Sequence, residues 1–198
     1  MKALLLDLDG TLVDSHDSTE AVWRAWGDAH GLDGAQVART CHGVPSAEHV
    51  ANWAPDLDAA AEAERIEADQ VAAEEPTPAF PGAAELLRAA PRVAIVTSGS
   101  PALVARRLQT SGLAAPAVMV TAGEAARGKP APDPYLLGAE RLGVAIADCV
   151  VVEDAPAGVA AGVAAGARTL AVLHTHPRAA LAAADACFAD LPALLAAL

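Results

Sequence analysis

Four short apolar runs punctuate the chain: Ala3–Leu6, Val93–Val96, Ala117–Val120 and Cys149–Val152. A fifth, Thr169–Leu173, follows Gly166. Runs of this length without polar alternation predict strands buried on both faces. Between them the apolar positions recur at helical spacing. One helix is predicted after Ser100, with Pro101 in its first turn and Gly112 as its stop. A second has Asp133 as cap, Pro134 as opener and Gly143 as end. A third, from Ala155 to Gly166, is built of small residues that allow close approach to a sheet. "LPALLAAL" predicts a last one. Strands alternating with helices predict an α/β fold with a parallel, doubly wound, Rossmann-like sheet.

The alternation breaks between about Asp14 and Ala79. "SHDSTEAVWRAWGDAHG" predicts an amphipathic helix with Val22, Trp23 and Trp26 toward a core. "PDLDAAAEAERIEADQVAAEE" predicts a second helix, and "CHGVPSAEH" a loop between them. "PTPAFPG" then brings the chain back as a stiff Pro-rich linker. The expected organisation is a core of residues 1–13 and 80–198, with a small α-helical domain, 14–79, inserted after the first strand.

Composition narrows the partners. The chain has 198 residues, 54% of them hydrophobic, enough for a full core. A net charge of −12 argues against nucleic acid and against an anionic membrane, since both need Lys and Arg. No apolar run reaches membrane-spanning length, and "LLLDLDG" is too short and too acidic for a signal peptide. Cys41, Cys149 and Cys187 are odd in number and widely spaced, so they read as reduced thiols. A cytoplasmic, monomeric protein is expected.

The first strand ends in two like charges, Asp7 and Asp9, one residue apart. At strand spacing they would share a face, roughly 6–7 Å apart. Such a pair needs compensation, and a divalent cation is the natural source. The other strand ends also carry chemistry. Thr97–Ser100, "TSGS", leads into a helix N-terminus after the second strand. The loop after the third holds Lys129, one of two lysines against eleven arginines. Glu153 and Asp154 follow the fourth. Each alone has a structural explanation as a turn, a cap or an exposed loop residue. Ligands of open parallel sheets bind beyond the carboxyl ends of the strands, where all four features fall.

Together they resemble the haloacid dehalogenase superfamily of phosphohydrolases. That family's first motif, D-x-D-G-T after an apolar strand, is matched by Asp7-Leu8-Asp9-Gly10-Thr11. Its Thr or Ser is matched by Thr97, its Lys by Lys129 in "GKPAPDPY", and its acid pair by Glu153-Asp154 in "VVVEDAPAG". The helical insertion is similar to the family's cap domain. "HGVPS", "VTSGS" and "RGKPAPDPYLLGA" most resemble the sugar-phosphatase, glycerol-phosphatase and 2-deoxyglucose-6-phosphatase branch. The resemblance implies a Mg²⁺-dependent phosphatase of small phosphorylated metabolites, sugar or polyol phosphates. Asp7 would be the nucleophile that forms an aspartyl-phosphate, and Asp9 the general acid and base. Thr97, Ser98 and Lys129 would hold the phosphoryl group. Asp7, the Asp9 carbonyl and Asp154 would bind the metal, with Glu153 either a ligand or a group behind one. The loop Cys41–Ser46, chiefly His42 and Gly43, would read the leaving group. His174 and His176 match no motif and read as surface.

Other branches fit less well. Haloacid dehalogenases lack an acid at the position of Asp9. Phosphonatases need a cap lysine, and the segment 14–79 contains none. Beta-phosphoglucomutases carry a histidine twelve residues past the nucleophile, where this chain has Thr19, with His16 misplaced by three. A mutase is the runner-up. A non-catalytic domain could have lost Asp7, Asp9, Lys129 or Asp154, and all are present.

Overall fold

The structure, a computed structural model, describes every residue except Met1, Gly43, Glu74 and Glu75. Six strands form one sheet: β1 (Ala3–Leu6), β2 (Val93–Val96), β3 (Val118–Val120), β4 (Cys149–Glu153), β5 (Arg168–Val172) and β6 (Ala186–Phe188). All pairings are parallel, in the order β3-β2-β1-β4-β5-β6. The direction of winding reverses between β1 and β4, which places a crevice at the carboxyl end of β1. The first four strands lie within one residue of the apolar runs. β6 was not anticipated: "ACF" is three half-buried residues on an edge, too short for a periodic signal.

Side chains alternate across the sheet as strand geometry requires. Leu4 and Leu6 pack with Ile95, Val150 and Val152 on one face, under α5 (Ala83–Leu86), α6 (Pro101–Ser111) and α9 (Leu191–Leu195). Ala3 and Leu5 pack with Val96, Val151 and Ala161 on the other, under α7 (Asp133–Leu142) and α8 (Pro156–Ala165). Ser100 caps α6 as expected, accepting from the Leu103 amide at 3.3 Å. Asp133 does not cap α7. The N-cap position is Pro132, and Asp133 instead pairs with Arg127 at 2.8 Å.

Among the described residues four helices, not two, fill the insertion: α1 (His16–Ala29), α2 (Gly34–Arg39), α3 (Ser46–Trp53) and α4 (Ala59–Ala72). α2 and α3 are short and each buries only two or three side chains, so the apolar pattern there is too sparse to read as a helix. The four enclose a separate cluster of Trp23, Trp26, Val37, Val50 and Ile66, with Val22 only partly buried. Trp26 Nε1 donates to Glu62 at 2.9 Å and His49 Nε2 meets the Val37 carbonyl at 3.0 Å, so the polar atoms inside are satisfied.

The insertion leaves and rejoins the sheet layer at one place. Val13 bridges Ala79 in antiparallel sense. The Asp14 amide donates to Pro78 at 2.8 Å, and the Phe80 amide to Leu12 at 2.9 Å.

Candidate active site

The register of the central strands assembles the acids. Leu6 stands opposite Val152, and the Asp7 amide donates to the Val152 carbonyl at 3.0 Å. The residues next in line, Asp7 on one strand and Glu153 and Asp154 on the other, therefore meet beyond the sheet edge. Their carboxylate oxygens lie within 4.8 Å of one another, and all three side chains are buried. Two glycines make room. Gly10 has φ +82°, and a Cβ there would fall 2.2 Å from Asp154 Oδ2. A Cβ on Gly158 would fall 1.7 Å from Glu153 Oε1.

Lys129 spends its three donors inside this cluster. Its Nζ donates to Asp7 Oδ1 at 2.5 Å, to Glu153 Oε1 at 2.7 Å and to the Val96 carbonyl at 2.9 Å. Tyr135, the only tyrosine, adds a bond to Glu153 Oε1 at 2.7 Å. Asp154 accepts from Thr11 Oγ1 at 2.8 Å and from the Thr175 hydroxyl.

Burial, then the neighbouring Glu153 and Asp154 charges, push Asp7 well above the usual carboxylate range, against the pull of Lys129. Burial and the Glu153 charge push Asp154 up to about 7, although Thr175 and Thr11 oppose them. Burial works against the ammonium of Lys129, but the Asp7 and Glu153 charges outweigh it and raise its pKa above the ordinary lysine value. With all three carboxylates ionised, the one ammonium would leave two negative charges uncompensated, which is what the raised values of Asp7 and Asp154 express. An all-oxygen donor set with that deficit fits a hard divalent cation such as Mg²⁺.

Asp9 is compensated separately. Its Oδ1 accepts from Arg107 Nε at 2.8 Å. Arg107 lies in α6 and its side chain is only 3% exposed. Its other nitrogens reach Ser18 Oγ at 3.2 Å, Thr19 Oγ1 at 3.3 Å and Gln70 Oε1 at 3.5 Å. One core arginine thus ties Asp9 to both α1 and α4. Each acid of the first motif also has a basic side chain of its own, Lys129 for Asp7 and Arg107 for Asp9. Sequence reasoning missed Arg107, yet a signal existed. Residues 103, 104, 107 and 108 share the buried face of α6, and a cation on such a face requires a partner.

A cleft of about 510 Å³ opens over these groups, lined by Asp7, Asp9, Thr97, Ser98, Lys129 and Glu153 from the sheet layer. Val44, Pro45 and Ser46 line its opposite wall. Thr97 is buried and its Oγ1 accepts from the Gly99 amide at 3.1 Å, while Ser98 is exposed at the lip. Glu67 of α4 accepts from the Ser100 amide at 2.6 Å, so the insertion touches the first turn of α6.

His42 does not line this cleft. It lines a smaller cavity of about 190 Å³ that also reaches Asp9, Gly10 and Asp154. Gly43 lies outside the described residues. His174 and His176 are half-buried rather than freely exposed. His174 Nδ1 meets the Gly10 carbonyl at 3.0 Å and its ring stacks on Phe80 at 3.8 Å; His176 lines the smaller cavity. They follow β5, so they too stand at a strand's carboxyl end, a position the motif comparison overlooked.

Comparison with known proteins gives a consistent set. The family model described as haloacid dehalogenase-like hydrolase matches residues 1–166. Hexitol phosphatase A of Escherichia coli is 47% identical over 178 residues, which is 86% of this chain and 82% of the relative. Glycerol-1-phosphate phosphohydrolase 2 of Saccharomyces cerevisiae is 34% identical over 189 residues, 88% of this chain and 76% of that protein. The crystal structure of a hydrolase from Pseudomonas syringae superposes with a TM-score of 0.83 at 27% identity, covering 100% of this chain and 97% of that one.

Proposed function

The chain belongs to the haloacid dehalogenase-like hydrolases, and from that premise we propose that it is a Mg²⁺-dependent phosphatase of small sugar or polyol phosphates. The observation that carries this reading is the placement of Asp7. It sits at the switch point of the sheet, open to the cleft, with Lys129 on one side and Asp154 on the other. A carboxylate needs no base to attack phosphorus. Asp7 forms a bond to phosphorus as the bond to the sugar oxygen breaks, giving an aspartyl-phosphate. Asp9 enters this step protonated on the oxygen that does not face Arg107 and hands that proton to the departing alkoxide. It then takes a proton from the water that releases phosphate from Asp7. Thr97, Ser98 and Lys129 line the position of the transferring phosphoryl group and counter its charge. Asp7, the Asp9 carbonyl and Asp154, with Glu153 behind them, would hold Mg²⁺, which when bound would supply further positive charge at the transferring phosphoryl group. The insertion 14–79 acts as a cap, with the loop Cys41–Ser46 meeting the leaving group.

The name of the Escherichia coli relative directs the substrate test to hexitol phosphates. Phosphate release would be measured on a panel of hexitol, hexose, deoxyhexose and glycerol phosphates with Mg²⁺. Preference for the polyol and sugar phosphates is expected. EDTA should lower the rate at least about 100-fold, and added Mg²⁺ should restore it. Full turnover in EDTA would remove the metal from the reading.

Arg107 gives a second expectation. Because it fixes Asp9, Arg107→Met should slow hydrolysis of alkyl phosphates about 10–100-fold. The burst of nitrophenolate from p-nitrophenyl phosphate, whose leaving group needs no proton, should change less than about threefold. Equal losses in both would mean that Arg107 serves only the packing.

A further inference from the structure

We propose that His16, Glu20 and His42 form a second metal site, on the insertion, for a borderline divalent cation of the Zn²⁺ type. His16 and Glu20 stand one helical turn apart on α1, so they share a face. His42 comes from the loop after α2. His16 Nε2 lies 3.3 Å from Glu20 Oε1, and His42 Nε2 lies 3.4 Å from the same oxygen. Ligand bonds of about 2.0–2.1 Å in a tetrahedron place ligand atoms about 3.3 Å apart, so two edges already have the required length. Among the described residues His42 Nε2 is buried without a hydrogen-bond partner, the kind of orphaned atom that an ion would satisfy.

The donors differ from those of the catalytic cluster. Two imidazoles and a carboxylate suit Zn²⁺ over Mg²⁺. Burial, then the nearby His16, lowers the pKa of His42 and so favours the neutral ring a metal needs. The His16 and His42 rings are stacked, with centroids 3.9 Å apart and planes 8° from parallel. An arriving ion would splay them by rotation of one ring. His16 and His42 also line the smaller cavity, together with Cys41 and His176.

The test uses the intact protein with Mg²⁺ in large excess, so that the three-carboxylate cluster is occupied. Co²⁺ alone is titrated and its visible absorption recorded; Zn²⁺ alone is titrated by calorimetry. One equivalent of each should bind, with Co²⁺ giving the intense bands of a tetrahedral site. His42→Ala should abolish those bands and weaken Zn²⁺ at least about tenfold, whereas Asp154→Asn should keep both. His16→Ala, at a more exposed position, repeats the test should His42→Ala fail to fold. Binding unchanged in the folded histidine variant, or only the faint spectrum of six oxygens, would overturn the proposal. None of these readings depends on phosphatase turnover, so a failure here leaves the activity assignment standing.

Discussion

Asp7→Asn should remove turnover by at least about 10⁴-fold on every phosphate ester while leaving the protein folded. The amide keeps the shape of the carboxylate but cannot attack phosphorus. Its structural cost is small for a reason visible in the site. Burial and two neighbouring acids already raise the pKa of Asp7, so the ionised group is a burden on the metal-free fold. Lys129 keeps Glu153 as its partner at 2.7 Å after the change. Thermal unfolding in EDTA should therefore show the variant at least as stable as the parent, and phosphate release should be at background. Residual turnover above about one part in a hundred would move the nucleophile elsewhere.

Lys129→Met should be harmful on both counts. Its side chain is 7% exposed and pairs with two buried acids, so removal leaves both without their cation. Breaking a buried pair by deleting one partner costs about 3–5 kcal/mol. Activity should fall by about 10³, since the phosphoryl group loses a fixed positive charge. Mg²⁺ binding should recover part of the stability. The rise in Tm on adding Mg²⁺ should thus be larger in the variant than in the parent, read by calorimetry with and without EDTA. Identical Tm values for variant and parent in EDTA would show that Lys129 carries no structural charge balance.

The parts of this protein that were legible in its sequence are those where local pattern and global position agree. β1, β2 and β4 are buried on both faces, so unbroken apolar runs mark them directly. The acids, Thr97 and Lys129 follow strand ends, where the fold class alone predicts a ligand. What was not legible depends on contacts distant in sequence. Arg107 meets Asp9 across ninety-eight positions, and Tyr135 meets Glu153 only through the packing of α7 on the sheet. Thr175 and His174 reach Asp154 and Gly10 from the loop after β5, and no local period announces them. α2 and α3 were hidden because each buries too few residues to leave a stripe.

The paired crossings at Val13 and Ala79 also bear on how such a protein can change. A segment whose two ends are already side by side can be lengthened, shortened or exchanged without disturbing the register of β1 or β2. Selection can therefore treat residues 14–78 as a replaceable cassette and leave the chemistry beneath it alone. The exchange is not unconstrained. Any replacement must again offer polar groups where Ser18, Thr19 and Gln70 meet Arg107, or the arginine that steadies Asp9 is left stranded in the interior.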